Sequence, residues 1–516
     1  MKKVLLSLVA CVATMGAFAQ DEKYTGDWNS TFTPVSNAEE LDGLHVAQAG
    51  DGSVYVSSTY DQTFTFAGKS VKNDDAMTSA VIVKYNDKGE EQWAVSLYGK
   101  ALVTAMETDR NGVLYAGGLI EDEVICTAVD GSTTTFNGNG QRTGFLLKFS
   151  AAGQLLASKI FTPTVNAEVY AVEGDPYEMG FDMPIYDLSG NDPMDFRPTS
   201  IKVVDGRVYV AVTYMGDVEE LGWKGAYLNY YGMDFMITDV RSRGIFSMDA
   251  DLVSSKSEMC VQQTGIVSMM SQASPRSLVF AVKGGKVFVA ITGSGELTAT
   301  SASGSNDIVF NVDDDGNEEF GIMLLQDGSE PFVFHTAIAE APLGASHSIQ
   351  TADLVNNNII ISGTFHGDFP LTADTEVANY DYAYVASISL DKGTIDWAYQ
   401  SPSESSSLCM VATGEETHAI TSLGMMTFDT ATGTVKSEPD GSTVAEDADS
   451  FNDLYAVFVA PAETSVQVVA PKMNIPLAIK DINTTSQKAN GKYFQNGQVF
   501  ILKNDVKYNM AGQRIK

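Results

Sequence analysis

Three features of the 516-residue sequence predict an all-β protein. Gly, Val, Thr, Tyr and Phe are frequent, and these residue types favour turns and strands over helices. A tight turn leading into an apolar strand begins at Asp51 and recurs, as does the strand, Gly turn and Trp-containing strand that begins at Ala80. Because the chain is long for one core, this recurrence favours a series of small sheets.

The chain begins with a predicted export signal, residues 1–19. Met1-Lys-Lys precedes an apolar run, and Ala17-Phe-Ala19 predicts cleavage after Ala19. A lipoprotein box ending at Cys11 is the less favoured alternative, because the apolar run continues beyond it. No later apolar run reaches the ~18 residues of a membrane helix. We therefore expect an exported chain, secreted or at the cell surface, with the periplasm left open.

Repeated units follow this signal. Residues 27–33 resemble the Trp-containing strands found later, so this lone strand is expected to complete the last unit and close a ring. Turn-and-strand copies then begin near residues 51, 111, 205, 284, 357 and 416, and strand–turn–strand copies near 80, 145, 245, 308 and 384. Four antiparallel strands in each unit predict a β-propeller over residues 27–470. We expect about six four-stranded blades, with seven as the alternative.

The repeats resemble those of exported bacterial β-propellers of the seven-bladed type. The resemblance depends on the segments 359–365, 367–370 and 382–390, followed by Gly393 and Trp397, and on matching positions of the first unit. It implies a fold and an exported setting, and it supplies no catalytic residues.

The end of the chain differs in composition. Residues 471–490 read as a polar linker, and residues 491–516 as short strands joined by turns. This tail, through the ending from Tyr508 to Arg514, resembles the C-terminal sorting tails of the type IX secretion system in exported Bacteroidetes proteins. A small strand pair docked on the propeller is the alternative.

Composition limits the classes of partner. The formal net charge of −34 disfavours nucleic acid and anionic membrane surfaces. Cys126, Cys260 and Cys409 are widely spaced, which indicates buried thiols and no disulfide framework. The chain shows no His pair at ligand spacing and no nucleophile elbow. Residues 311–317 resemble a calcium loop but lack its closing Glu, so a plain turn is favoured.

Long connections are expected on one face of the ring. The insertion 162–196 mixes carboxylates with aromatic side chains, and a second loop supplies a companion wall. The predicted ligand-binding residues are Tyr170, Asp175, Tyr177, Asp182, Tyr186, Trp223, Tyr230 and Asp234. No cofactor is predicted, with Ca²⁺ left open.

The sequence favours an exported, non-catalytic β-propeller that binds a glycan, peptide or protein partner through its loop-rich face. A propeller glycoside hydrolase or lyase is one alternative, and a structural surface protein is another. Two carboxyl groups about 5 to 10 Å apart in a pocket would favour the hydrolase. A monomer is expected, and the identity of the ligand stays open.

Overall fold

The fold is taken from a computed structural model, which describes residues 26–75, 77–140, 142–164, 195–224, 242–263, 275–293, 295–301, 304–310, 321–326, 346–366, 381–437, 445–450, 456–471, 491–495, 498–503 and 506–508. Within these ranges the chain forms 36 β-strands and two 3-10 helices of one turn each, Ala38–Glu40 and Glu219–Leu221. No helix in these ranges has the length and apolar character needed to cross a membrane.

The first half of the chain forms three sheets, called blades 1 to 3, after the strand β1 (Gly26–Phe32). Blade 1 contains β2 (His45–Gln48), β3 (Val54–Tyr60), β6 (Ser79–Tyr85) and β7 (Glu91–Tyr98), with a separate hairpin of β4 (Phe64–Phe66) and β5 (Lys69–Val71). Blade 2 contains β8 (Ala101–Thr108), β9 (Leu114–Ile120), β12 (Thr143–Phe149) and β13 (Leu155–Phe161), and its second and third strands are joined through β10 (Glu123–Thr127) and β11 (Thr133–Asn137). Blade 3 contains β14 (Asp195–Val204), β15 (Arg207–Met215), β16 (Ser242–Asp249) and β17 (Ser255–Gln263).

The second half forms blades 4 to 7. Blade 4 contains β18 (Pro275–Lys283), β19 (Lys286–Gly293) and β22 (Gly321–Gln326), with β20 (Gly295–Ser301) and β21 (Gly304–Phe310) as a hairpin between the last two. Blade 5 contains β23 (Ser346–Val355), β24 (Asn358–His366), β25 (Asp381–Ser389) and β26 (Thr394–Gln400). Blade 6 contains β27 (Ser407–Ala412), β28 (Glu416–Thr421), β29 (Gly424–Asp429) and β30 (Val435–Ser437), and blade 7 contains β31 (Asp447–Ser450), β32 (Ala456–Ala462), β33 (Ser465–Pro471) and β1.

The innermost strands form a closed ring. β2, β8, β14, β18, β23, β27 and β31 contact one another in this order, and β31 contacts β2. The predicted all-β propeller of about six four-stranded blades, with seven as the alternative, is confirmed. Six sheets have four or more strands, and the seventh, blade 4, shows three strands within the described residues.

The ring is closed by pairing between the first and the last strand of the propeller. β1 pairs antiparallel with β33, with Trp28 opposite Ala470 and Phe32 opposite Val466. Phe32 is buried in an apolar cluster that contains residues of both blade 7 and blade 1. The N-terminal strand therefore completes the last sheet and also contributes to the core between that sheet and the first one.

Burial explains why the middle strands are so apolar. Every residue of β3, β6 and β9 is buried, because each blade is covered on both faces by its neighbours. The outer strand β7 shows alternating burial along most of its length, as expected where the covering layer thins toward the rim. The three predicted buried thiols, Cys126, Cys260 and Cys409, are confirmed as free and buried.

Two of the connections expected to be long loops, residues 119–143 and 292–307, instead contain strands that extend a neighbouring blade. β10 pairs with β7 of blade 1, and β20 pairs with β17 of blade 3, so each of these sheets has six strands. The assignment of residues 308–310 to the first strand of the fourth unit's strand–turn–strand is therefore wrong. Ile308 lies in β21 and pairs with Leu297 of β20. A local turn signal does not reveal which blade a hairpin joins.

Tryptophans on outer strands contact the glycine turn of the following blade. In each contact, a Cβ atom on the glycine would lie 3.0 Å or less from the indole ring; the pairs are Trp28–Gly89, Trp93–Gly153 and Trp397–Gly433. Two indoles also donate a hydrogen bond to the same turn, Trp93 Nε1 to Ala151 O at 3.1 Å and Trp397 Nε1 to Thr430 O at 2.9 Å. The repeated Gly and Trp are thus an inter-blade contact, which we call the Trp–Gly contact.

Residues Met473–Lys516 form a second compact unit. Its described strands are β34 (Gly491–Gln495), β35 (Gln498–Lys503) and β36 (Val506–Tyr508), which form an antiparallel three-stranded sheet. The sorting role proposed for this tail stays a prediction, as does the export signal, which lies outside the described residues.

Candidate functional site

The inner strands of all seven blades surround an axial cavity of about 410 Å³. Both polar and apolar side chains line it, and each inner strand contributes at least two residues. A cavity of this size is within the ~300–1,000 Å³ typical of ligand sites. The cavity is therefore the candidate functional site.

One end of the cavity is open to solvent. Thr199, Gln350 and Glu446 line it and are exposed, and each lies in the first half of its lining segment. Inner strands begin at the end of the ring reached by the connections between blades. The mouth therefore lies on the face that the sequence predicts to be rich in long loops.

A charged cluster lies toward the opposite end of the cavity. Lys202 Nζ lies 3.9 Å from Glu107 Oε2 and 3.7 Å from Asp353 Oδ1. These three residues belong to blades 3, 2 and 5, and Asp353 also accepts a hydrogen bond from Ala412 N of blade 6 at 2.9 Å. One ammonium group thus joins carboxylates from separate blades.

The inner strands place these three charges at equivalent positions. β8, β14 and β23 each contain a one-residue irregularity in their pairing, at Thr104, Thr199 and Gln350. A charged residue follows three positions later in all three strands, as Glu107, Lys202 and Asp353. Bulges bend a strand and re-aim its side chains, so a shared bulge brings the following charges to a shared level.

Two further carboxylates come from β31. Asp449 accepts a hydrogen bond from Gln48 N at 2.7 Å, and Asp447 accepts one from Val46 N at 2.9 Å. His45 Nδ1 lies 3.4 Å from Asp447 Oδ2. These contacts join blade 7 to blade 1 beside the axis, where β31 and β2 pack together.

Confinement within the ring perturbs the protonation of the cluster. Burial raises the pKa of Glu107 more than the adjacent Lys202 lowers it. Burial, reinforced by the charge of Glu107, raises the pKa of Asp449 well above its usual range. Burial alone would lower the pKa of Lys202, but Asp353 and Glu107 raise it above its ordinary value. Lys202 therefore stays protonated, and the surrounding carboxyl groups share the electrostatic stabilisation from its single positive charge.

These shifts predict an unusual dependence of stability on pH. A carboxyl group with a raised folded-state pKa binds more protons when folded, so its contribution to stability falls as pH rises from its unfolded value toward the folded one. For Glu107 the pH range of this loss begins at 4.5, the ordinary pKa of the group. Hydrogen bonds from Ser254 and from backbone N–H groups lower the pKa of Asp249 from 3.8 to about 2. The stability that ionised Asp249 contributes is therefore lost only below pH 3.8.

Stability should therefore be greatest near pH 4 to 5 and decline toward neutrality. Thermal unfolding followed across pH 3 to 8 in one buffer series checks this expectation. Glu107→Gln, which removes one raised group, should flatten the decline above pH 4.5. A melting temperature that rises steadily from pH 5 to 8 would contradict the assignment.

The predicted ligand-binding residues lie mostly outside the described ranges. This holds for seven of the eight, which stay predictions: Tyr170, Asp175, Tyr177, Asp182, Tyr186, Tyr230 and Asp234. The calcium-like segment 311–317 also lies outside them. Among the residues that the structure describes, no three His, Cys, Asp or Glu side chains converge as a metal site.

Trp223 is the one predicted binding residue that the structure describes, and it is a core residue. Its side chain is 4% exposed, its ring stacks on Tyr214 with centroids 5.1 Å apart, and its Nε1 donates to Ser257 Oγ at 2.7 Å. Placing Trp223 on the wall of a ligand pocket is corrected accordingly, since no face of the indole is left for a ligand.

Sequence patterns do not single out the charged residues of the cavity. Glu107, Lys202 and Asp353 each lie in an inner strand a few residues before a turn, and none of them belongs to a recognisable local motif. Aligning the inner strands on their following turns would have placed Glu107, Lys202 and Asp353 close to one another. The signal lies in comparison between repeats rather than in any local motif.

Comparison with known proteins gives distant structural likenesses. No protein-family model matches the chain, and no curated protein matches it. The β-propeller domain of Cps50 (Swd1) from Myceliophteria thermophila is 8% identical, with a TM-score of 0.38 over 86% of this chain and 99% of that one. BamB from Moraxella catarrhalis is 10% identical (TM-score 0.34, 85% and 98% covered), and YCF48 bound to D1 peptide is 8% identical (TM-score 0.37, 89% and 97% covered).

Proposed function

We propose that this chain is an exported, non-catalytic β-propeller that binds a peptide or protein partner, and that a basic side chain of the partner enters the axial cavity. The observation that carries the proposal is the cavity of about 410 Å³, which opens to solvent among inner strands of every blade. Binding sites are commonly concave, apolar in part and equipped with a few convergent polar groups.

The charge of the cavity selects the class of ligand. Five carboxylate residues line it against two permanently basic ones, Lys202 and Arg243. Lys202 is already shared by Glu107 and Asp353, whereas Glu446 is exposed at the mouth next to Asp447. Apolar side chains such as Leu278 and Ile349 also line the cavity. Long basic side chains suit such a site, because their stems pack on apolar surface while their charged ends reach carboxylates.

An array of short peptides with and without Lys or Arg tests this proposal. Wild-type protein should prefer the basic peptides, and the preference should weaken as salt is raised. Glu446→Gln, at the mouth, should weaken that binding by about threefold to tenfold. Glu463→Gln is the matched control, because Glu463 is also exposed but lies in the turn between β32 and β33, outside the lining of the cavity.

Equal loss of binding in Glu446→Gln and Glu463→Gln would show a general effect of charge and not a site in the cavity. Wild-type binding that ignores the charge of the peptide would remove the basis of the proposal. A preference for polysaccharides over all peptides would favour the glycan partner that the sequence left open.

One observation favours a hydrolase as the second candidate. Glu107 and Asp353 both contact the Lys202 ammonium, so their carboxylates lie within about 8 Å of each other, a separation at which paired carboxyl groups hydrolyse glycosides. Lys202 occupies both carboxylates, which is why binding is preferred. Release of reducing sugar from a polysaccharide by wild-type protein, abolished in Glu107→Gln, would establish the second candidate instead.

A further inference from the structure

The outer edge of blade 1 ends in a free strand supplied by blade 2. β11 pairs with β10 over all five residues, and β10 pairs with β7, so β11 is the outermost of six strands. The pairing of β10 with β11 shows no register irregularity. Thr133, Thr134, Thr135 and Asn137 are exposed, and Phe136 is buried. The strand is thus held in place from one side and open on the other.

The backbone groups on the open side follow from the ladder. Ala128 N donates to Ser132 O at one end of the hairpin, and Gly138 N donates to Asp122 O at the other. Hydrogen-bonded pairs alternate along an antiparallel ladder, so residues 132, 134, 136 and 138 face β10. The N–H and C=O groups of Thr133, Thr135 and Asn137 therefore face outward, on the side where no other described strand pairs.

β11 lacks the features that usually protect an edge. Natural edge strands carry charges, prolines or bulges that discourage pairing with another chain. Among the six sheets with four or more described strands, each other outermost strand contains at least one charged residue; these are Asp27, Lys159, Asp307, Asp396 and Lys436. β11 contains only Thr, Phe and Asn. It is therefore the unprotected edge in this set.

We infer that β11 is a docking edge for an extended segment of a partner polypeptide, which adds to blade 1 as a seventh strand. The main-chain hydrogen bonds would come from the outward groups of Thr133, Thr135 and Asn137. Asp130 precedes the strand and Glu123 lies at its other end, both of them exposed, whereas Asp122 beside Glu123 already pairs with Lys100 at 3.3 Å. The fitting partner is an uncharged, β-branched segment with Lys or Arg at its ends.

Charge disfavours a second copy of this chain as the occupant. Two copies meeting at β11 would bring the acidic flanks of both strands together on a protein of net charge −34. A segment with basic ends meets the same flanks favourably. This edge lies on the rim of the ring and shares no residue with the axial cavity, so it stands or falls independently of the cavity proposal.

A displayed library of short random peptides is the probe. Wild-type protein should enrich peptides with alternating β-branched residues and basic ends. Thr135→Pro removes one outward N–H that the β10–β11 ladder does not use, and edge strands tolerate proline at such a position. We expect Thr135→Pro to weaken binding of the enriched peptides by about tenfold or more. Thr135→Val, which keeps the N–H, should bind them like wild type.

A second measurement does not depend on the folding of a variant. Enriched peptides methylated on the backbone nitrogens of alternate residues should lose binding in one register and keep it in the other, which is the signature of strand addition. Equal binding to Thr135→Pro, or insensitivity to methylation in both registers, would overturn the inference. A wild-type dimer that Thr135→Pro dissociates would overturn the assignment of the occupant.

Discussion

Gly153→Ala should lower the free energy of unfolding by about 2–5 kcal/mol, one of the two largest single-residue effects we expect. Gly153 has a φ of +79°, where a Cβ costs about 1–2 kcal/mol. The new atom would also lie 2.3 Å from Val129 Cγ2 and 3.0 Å from Trp93 Cδ2. Overpacking of this kind costs a further ~1–3 kcal/mol. Urea unfolding measures the change.

Gly206→Ala is the matched control for this effect. Gly206 has a φ of +76°, and a Cβ there would meet nothing within 4 Å. Gly206→Ala should therefore lower the free energy of unfolding only by the cost of the strained backbone, about 1–2 kcal/mol. The double variant Gly153→Ala, Trp93→Ala should lose less stability than the sum of the two single-variant losses, because the clash between the new methyl group and the indole is gone. Equal losses at Gly153 and Gly206 would refute a structural role for the Trp–Gly contact.

Lys202→Met should lower the free energy of unfolding by about 3 kcal/mol. It removes the ammonium group that lies 3.9 Å from Glu107 and 3.7 Å from Asp353 and leaves both carboxylates within the ring without their cation. Breaking one partner of a buried ion pair is destabilising by ~3–5 kcal/mol, and water in the cavity places this cluster at the lower end. Chemical unfolding at neutral pH measures the loss.

Lys436→Met is the control, because Lys436 is 29% exposed against 31% for Lys202 and also contacts two carboxylates. Those carboxylates, on Glu416 and Asp429, belong to the same blade as Lys436, so the loss should be about 1 kcal/mol or less. Lys202→Met should regain stability as pH falls, since protonation removes the unpaired charge, and Glu107→Gln should restore part of it at neutral pH. A loss equal to that of Lys436→Met would show that the axial cluster does not hold the blades together.

Much of the fold could be read from local patterns. The Asp51 turn, the apolar strand that follows it and the Gly89 turn are each specified within a few residues, since turns demand Gly and Asp and buried strands demand β-branched or aromatic residues. Six or seven blades could not be separated in the same way. Blade 7 takes its outer strand from the start of the chain and has no full local copy of the repeat.

The candidate site was less accessible to such reasoning. Sequence patterns favour long loops with carboxylates and aromatic rings as binding sites, but Trp223, the predicted binding residue that the structure describes, is buried against the third blade. Lys202 and Asp353 each lie in an ordinary strand and belong to no local motif. Their meaning depends on a partner from another blade.

The sequence by itself determined that this protein is a ring of small antiparallel sheets, because strand, turn and burial preferences act over a few neighbouring residues. Only the tertiary structure determined which side chains and strands of different sheets contact one another. It brought Lys202 to Glu107 and Asp353, placed Trp93 on the glycine turn of the next blade and moved β11 to the edge of blade 1. Each of these pairings joins different blades, and closure of the ring, not spacing along the chain, sets which side chains meet.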